Sequence, residues 1–268
     1  MRELAFGFSP CPNDTFAFHA LVHGLVDAPF RVRPVLLDIE ELNRRAHSGD
    51  LDLTKLSFGA APAVANRYEL LRSGAALGHG CGPLVVARRP MSLAEAVGRR
   101  IAIPGQETTA FLLLRLLARE PTHEVVELRF DRILDAVANG GADAGLIIHE
   151  SRFTYREHGL VAVADLGELW EERTGLPVPL AGIFARRDLD EELRAGAERA
   201  IRASVEHAFA RPDNSREYVR SHSQELSEEV CRQHIELYVN EFSVDVGDQG
   251  LAAIRELTAQ AGYAATSD

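Results

Sequence analysis

The stretch Pro83-Leu84-Val85-Val86-Ala87-Arg88-Arg89 has a near copy at Pro179-Leu180-Ala181-Gly182-Ile183-Phe184-Ala185-Arg186-Arg187. Both begin Pro-Leu, run apolar and end Ala-Arg-Arg. Each follows a Gly/Pro-rich approach, at Gly80-Cys81-Gly82 and at Gly175 to Pro177. Short apolar runs bounded by turn residues are the pattern of buried strands. Their repetition reads as two strands that carry the chain out to a second lobe and back. Residues 1–88 plus 182–268 then form one lobe and residues 89–181 the other. So short a similarity does not establish a repeat, and two ordinary strands of one sheet remain the alternative.

Outward from these strands, the pattern on each side is α/β. Before Pro83, Leu4 to Phe8 reads as a strand, Pro10 to Asn13 as a turn, and Asp14 to His23 as a helix stopped by Gly24. Val32 to Leu37, Ile39 to His47, Leu51 to Leu56 and Phe58 to Ala65 repeat strand and helix, a rhythm that predicts a parallel sheet. After Arg89 the rhythm restarts: helix Ser92 to Val97, strand Arg100 to Ile103, helix Thr108 to Arg119. Strand Glu124 to Phe130, helix Asp131 to Ala138 and strand Ala144 to Ile148 follow. Beyond Arg187 the chain is almost all helical, at Glu191 to Ala210, Arg216 to Ser221, Glu228 to Glu241 and Gly250 to Ala261. These helices are expected to pack on the first lobe.

Bulk properties narrow the function. A formal net charge of -11 argues against nucleic acid, which calls for clustered Lys and Arg. No run of about 18 uncharged apolar residues predicts a membrane span, and the first residues lack a signal-peptide core, so a cytoplasmic protein is expected. Cys11, Cys81 and Cys231 form no C-x-x-C pair, so neither a disulfide framework nor a zinc site is indicated. No G-x-S-x-G or H-E-x-x-H pattern occurs.

In open α/β sheets, ligands bind beyond the carboxyl ends of the strands, so the strand ends are the candidates. Ser9-Pro10-Cys11-Pro12-Asn13-Asp14-Thr15-Phe16 is either a stiff wall of the cleft or only a turn and a helix cap. At Thr54-Lys55-Leu56-Ser57, a helix start, a hydroxyl and an ammonium suit an anion; the plain reading is a cap and an ion-paired lysine. Ile103-Pro104-Gly105-Gln106-Glu107-Thr108-Thr109-Ala110 offers a second strand, turn and helix start facing the first. Gly145-Leu146-Ile147-Ile148-His149 ends an apolar strand in an imidazole. There it is either a proton acceptor at the rim of the cleft, with an ordinary pKa of about 6.5, or a core histidine bonded to backbone.

The phrases FSPCPNDTFAFHALVHG (8–24), LTKLSFGA (53–60), GPLVVARR (82–89), IPGQETTAFLLL (103–114), FDRIL (130–134) and GLIIHESRFTY (145–155) resemble the 1,4-dihydroxy-6-naphthoate synthase family of the futalosine route to menaquinone. The likeness runs from Phe6 to about Asp245 and departs slightly at Gln106-Glu107, which puts the charge near that anion site in question. The resemblance implies a type II periplasmic-binding-protein-like α/β fold of two lobes with a ligand cleft between them. It implies a cytoplasmic lyase that converts cyclic dehypoxanthine futalosine to 1,4-dihydroxy-6-naphthoate and dihydroxyacetone, with no metal or organic cofactor. By resemblance, His149 is the proton acceptor. Lys55, Leu56 and Ser57, Thr109 with Ala110, and Asn43 contact the small-molecule carboxylate substrate. A non-catalytic small-carboxylate solute-binding protein and the sister enzyme chorismate dehydratase are the competing readings; the His149 phrase favours the synthase.

Overall fold

The computed structural model describes residues 2–118, 121–224 and 227–262. The first sheet begins with β1 (Arg2–Phe8), α1 (Pro12–Val22), β2 (Phe30–Leu36), α2 (Ile39–Ala46) and β3 (Leu53–Ser57). Two short strands, β4 (Tyr68–Leu70) and β5 (Ala76–Gly78), precede the crossing. The second sheet is built from β6 (Leu84–Ala87), α3 (Leu93–Val97), β7 (Arg100–Ile103), α4 (Thr109–Leu117), β8 (Glu124–Glu127), α5 (Ile133–Ala138), β9 (Ala144–Ile147), α6 (Ser151–Thr154), β10 (Val161–Asp165) and α7 (Leu166–Thr174). The chain then returns through β11 (Val178–Arg186) to α8 (Glu191–Ala210), α9 (Arg216–His222), α10 (Glu228–Tyr238), α11 (Glu241–Val244) and α12 (Gly247–Gln260).

The strand orders are β2-β1-β3-β11-β4, with β5 also on β11, and β10-β6-β9-β7-β8. Neither sheet is purely parallel, contrary to the expectation from the alternating pattern. β11 runs antiparallel to β3, β4 and β5, and β6 runs antiparallel to β9 and β10. The two near-copies therefore hold the same place in separate sheets, each beside a strand that ends at the cleft. Sheet membership puts Leu84–Ala87 in the second sheet and Val178–Ala181 in the first. The chain changes sheets at Gly80 to Pro83 and at Gly175 to Pro177, in the turn-rich approaches rather than within the strands.

The segment Phe58 to Ala65, expected as an α-helix, forms only one 3-10 turn at Ala61–Val64. Gly59 and Pro62 weaken a helix there, and β4 begins too soon for one to extend. Gly59 has a further role: a Cβ at this position would lie 2.9 Å from the Glu107 carbonyl oxygen and 3.0 Å from that of Thr108. The two halves meet here backbone to backbone.

The C-terminal helices pack on the first sheet. Ser204 of α8 donates to the Ala17 carbonyl (2.7 Å) and accepts from the Leu21 N–H (3.1 Å), tying α8 to α1 inside the core. Phe6, Phe8 and Phe18 cluster below, with ring centroids 5.0–5.4 Å apart. α10 lies against α1 and β5, which brings a face of that helix to the cleft. Among the described residues, no helix is long and apolar enough to cross a membrane.

Candidate active site

The ends of β3 and β9, the start of α4 and one face of α10 enclose a cavity of about 70 Å³ between the sheets. Lys55, Ser57, Thr109, Ala110 and His149 line it, together with Asn13, His234 and Tyr238. Leu56 and Asn43 do not. Leu56 points into the core, and Asn43 is fully buried behind Ser57. Asn43 accepts from the Ser57 N–H at 2.9 Å and donates to the Ser57 hydroxyl at 3.0 Å. It fixes Ser57 rather than lining the cavity, as period-3.6 spacing on α2 sets it on the face of the buried Ile39 and Ala46.

His149 follows β9 in the left-handed region, at φ 55°. A non-glycine residue held there is strained, and such strain collects at functional sites. The edge of Phe130 packs on its ring, centroids 4.8 Å apart. The residue is half-buried, but its Nε2 is buried and has no hydrogen-bond partner among the described residues. Burial pushes its pKa down to about 3, helped by the nearby Lys55 ammonium and opposed by Asp14. The ring is therefore neutral, and in the tautomer with its proton on Nδ1 the buried Nε2 holds a free lone pair.

Lys55 forms a buried ion pair with Asp14, their side chains 4% and 3% exposed. Neither Asn13 nor Asp14, the two candidate caps in this stretch, caps α1; Cys11 occupies the cap position without a side-chain bond. Instead the Asp14 carboxylate accepts from the Ser9 N–H (3.0 Å), the Ser9 hydroxyl (2.7 Å) and the Asn13 amide (2.9 Å). Asn13 in turn accepts from Nε2 of His234 at 3.0 Å. His234 is 1% exposed and lies 6.1 Å from His149, ring over ring at 21°. Burial, His149 and Lys55 all lower its pKa.

His234 escaped the sequence reading. The signal was there in the spacing: Val230, His234 and Tyr238 fall four apart, on one face of α10. Nothing local says that this face meets the end of β9.

The two strand-end turns differ from expectation. The N–H groups after β3 are already used: Phe58 donates to Leu180 O at 3.2 Å and Gly59 to the Thr109 hydroxyl at 3.1 Å. Only the second turn opens a helix. Thr108 caps α4 by accepting from the Phe111 N–H at 3.2 Å, so the first turn of α4 faces the cavity at Thr109 and Ala110 with its partial positive charge.

The Thr109 hydroxyl also donates to Leu180 O at 2.5 Å. One hydroxyl thus joins α4 to both β3 and β11. Around it, the Glu107 N–H donates to the buried Glu40 carboxylate at 3.2 and 3.3 Å, and Glu107 pairs with His47 at 2.9 Å. The carboxylate of Glu107 is thereby held on α2, away from the helix start. Thr109→Val removes the shared hydroxyl at nearly constant shape. Leu180 O keeps the Phe58 N–H, but leaving the Gly59 N–H unpaired costs about 1–3 kcal/mol, so product binding is expected to weaken about tenfold or more with the melting temperature little changed. A titration of product fluorescence checks this; unchanged affinity would mean that the seam does not close on ligand.

Sulfur, nitrogen and carboxylate donors of Cys11, His149 and Glu150 lie within 4.8 Å of one another. That donor set suits a zinc-class ion. Binding there would require the Cys11 thiol to lose its proton, and burial together with Glu150 raises its pKa well above the ordinary value.

Residues 4–263 match the model of a family described as menaquinone biosynthesis. The chain is 56% identical to 1,4-dihydroxy-6-naphthoate synthase of Thermus thermophilus, over 100% of this chain and 98% of that one. It is 46% identical to the enzyme of the same name in Streptomyces coelicolor, over 96% and 92%. A crystal structure from Archaeoglobus fulgidus superimposes with a TM-score of 0.91 at 38% identity, covering 97% of each chain. The alkanesulfonate-binding protein SsuA of Xanthomonas axonopodis, 14% identical with a TM-score of 0.69 over 98% of this chain and 95% of that one, shares the periplasmic-binding-protein fold. A near-full-length family match and two near-full-length relatives place this chain in the menaquinone-biosynthesis family.

Proposed function

We propose that this protein is a 1,4-dihydroxy-6-naphthoate synthase, a cytoplasmic carbon-carbon lyase that converts cyclic dehypoxanthine futalosine to 1,4-dihydroxy-6-naphthoate and dihydroxyacetone. One observation carries the mechanistic part: Nε2 of His149 is buried at the cavity with no hydrogen-bond partner among the described residues, and with the ring proton on Nδ1 it is a neutral acceptor. His149 takes a proton from the carbon beside a carbonyl, giving an enolate. The imidazolium returns that proton to the neighbouring carbon, which moves the carbonyl along the opened sugar. Loss of the proton from the hydroxyl on the ring carbon then breaks the carbon-carbon bond, leaving a ring ketone and the enediolate of the three-carbon fragment, which takes the proton up as dihydroxyacetone. Aromatisation of the second ring drives the sequence forward.

The other groups have supporting parts. The substrate carboxylate sits at the start of α4, where the backbone N–H groups and helix dipole favour an anion. Lys55 and the Ser57 hydroxyl face the same space and favour negative charge on oxygen as it develops. At about 70 Å³, the cavity is well below the several hundred Å³ typical of ligand sites. The two lobes therefore part to admit substrate, turning at Gly80 to Pro83 and Gly175 to Pro177, and close to exclude water.

Incubating the purified protein with cyclic dehypoxanthine futalosine and following naphthoate absorbance tests the proposal. Stoichiometric formation of the naphthoate and dihydroxyacetone is expected. Recovery of unchanged substrate would overturn it.

A further inference from the structure

Asn13 and His234 are separated by 221 residues in the chain yet share a hydrogen bond at the wall of the cavity. The orientation of every group along this line is settled by what its neighbour can do. Asp14, paired with the Lys55 ammonium, is a carboxylate that only accepts. The Asn13 side chain must therefore turn its NH₂ toward Asp14, at 2.9 Å. That leaves its carbonyl oxygen facing His234, and an oxygen can only accept, so Nε2 of His234 carries the ring proton. Nδ1 is left as a bare lone pair. It is buried and has no hydrogen-bond partner among the described residues.

We propose that His234 is a specificity-determining substrate contact whose Nδ1 accepts a hydrogen bond from a hydroxyl of the sugar-derived part of the substrate. A neutral lone pair suits a hydroxyl and repels a carboxylate, which assigns opposite ends of the substrate to opposite walls: hydroxyls to α10, the carboxylate to the start of α4. The stacking of His234 on His149 sets that hydroxyl beside the base, so the carbons to be shed lie where the proton is taken. Burial and the neighbouring Lys55 and His149 keep Nδ1 unprotonated at ordinary pH. This rests on the cavity being the synthase active site.

Substrate analogues that each lack one hydroxyl of the sugar-derived ring separate this role from a merely structural one. A buried group built to bond a hydroxyl rejects the analogue without it strongly. The wild type is expected to lose about 10²-fold or more in kcat/KM on one analogue. His234→Phe keeps a ring against His149 but has no acceptor, and it is expected to turn over that analogue and the full substrate at nearly equal, lowered rates. In His234→Gln the amide nitrogen serves Asn13 and the oxygen replaces Nδ1, so discrimination returns. Undiminished discrimination in His234→Phe would overturn the inference while leaving the synthase reading intact. Absence of any wild-type turnover would overturn that reading and this inference with it. Nitrogen-15 NMR of the wild-type imidazoles gives a test that needs no variant: Nδ1 of His234 should be unprotonated and shift on binding dihydroxyacetone, the product that carries the sugar-derived hydroxyls, and a protonated Nδ1 would refute the assignment.

Discussion

His149→Ala is expected to lower kcat by about 10²- to 10⁴-fold, the range for removing a positioned general base, while the fold and product affinity persist. The pH dependence of the wild type carries more information than the loss itself. The base works as the neutral ring, so activity falls as pH drops through its pKa. Burial lowers that pKa to about 3. Once substrate is sealed in, kcat should stay on its plateau far below 6.5. The limb in kcat/KM, which reports the open enzyme, should lie nearer the ordinary imidazole value. An acid limb in kcat near 6.5 or above would show that the ring is solvated in the complex.

A pKa of about 3 would make a feeble base if it applied throughout the reaction. The proton transfer itself supplies the correction. It creates an enolate beside the new imidazolium, and two such charges about 4 Å apart attract by about 4 kcal/mol at an effective dielectric of about 20. That is roughly three pH units, enough to return the ring to near neutrality at the moment it is charged. The same burial that keeps the ring unprotonated before reaction strengthens the pair after it. Full retention of turnover in His149→Ala would remove the residue from the mechanism.

The second large effect is on stability. Lys55→Met leaves the Asp14 carboxylate without its cation at a place where both side chains are almost wholly buried. Losing one partner of a buried pair costs about 3–5 kcal/mol, a sizeable share of a domain's stability. The double variant Lys55→Met with Asp14→Asn removes both charges, and the asparagine keeps an acceptor for Ser9. It is expected to be more stable than Lys55→Met alone, and urea unfolding of the four proteins measures the coupling. Strict additivity would mean that the two groups do not interact. Activity should fall in both variants even where stability recovers, because Asp14 also orients Asn13 and, through it, His234.

Much of the scaffold was legible in local pattern. Arg100–Ile103 and Glu191–Ala210 begin and end where periodicity and flanking turns place them, because apolar spacing and breakers are properties of adjacent residues. The three-residue strands β4 and β5 carry too few positions to display a period. The segment 161–174, with β10 and α7, went unread. Strand direction was out of reach as well: β11 lies antiparallel to β3 because of the path the chain takes through the other sheet.

At the site the division follows the same physics. The sequence by itself determined that an imidazole ends the apolar run of β9 and that a threonine pair opens α4, since each depends only on its own neighbours. Tertiary structure alone decided that Lys55 meets Asp14, that Asn43 stands behind Ser57 instead of on the cavity wall, that Thr109 spans the seam, and that His234 comes to lie over His149. Those pairings join groups 14 to 85 residues apart. A side chain's charge, tautomer and accessibility are set by whatever the folded chain brings against it, and local spacing holds no record of that partner.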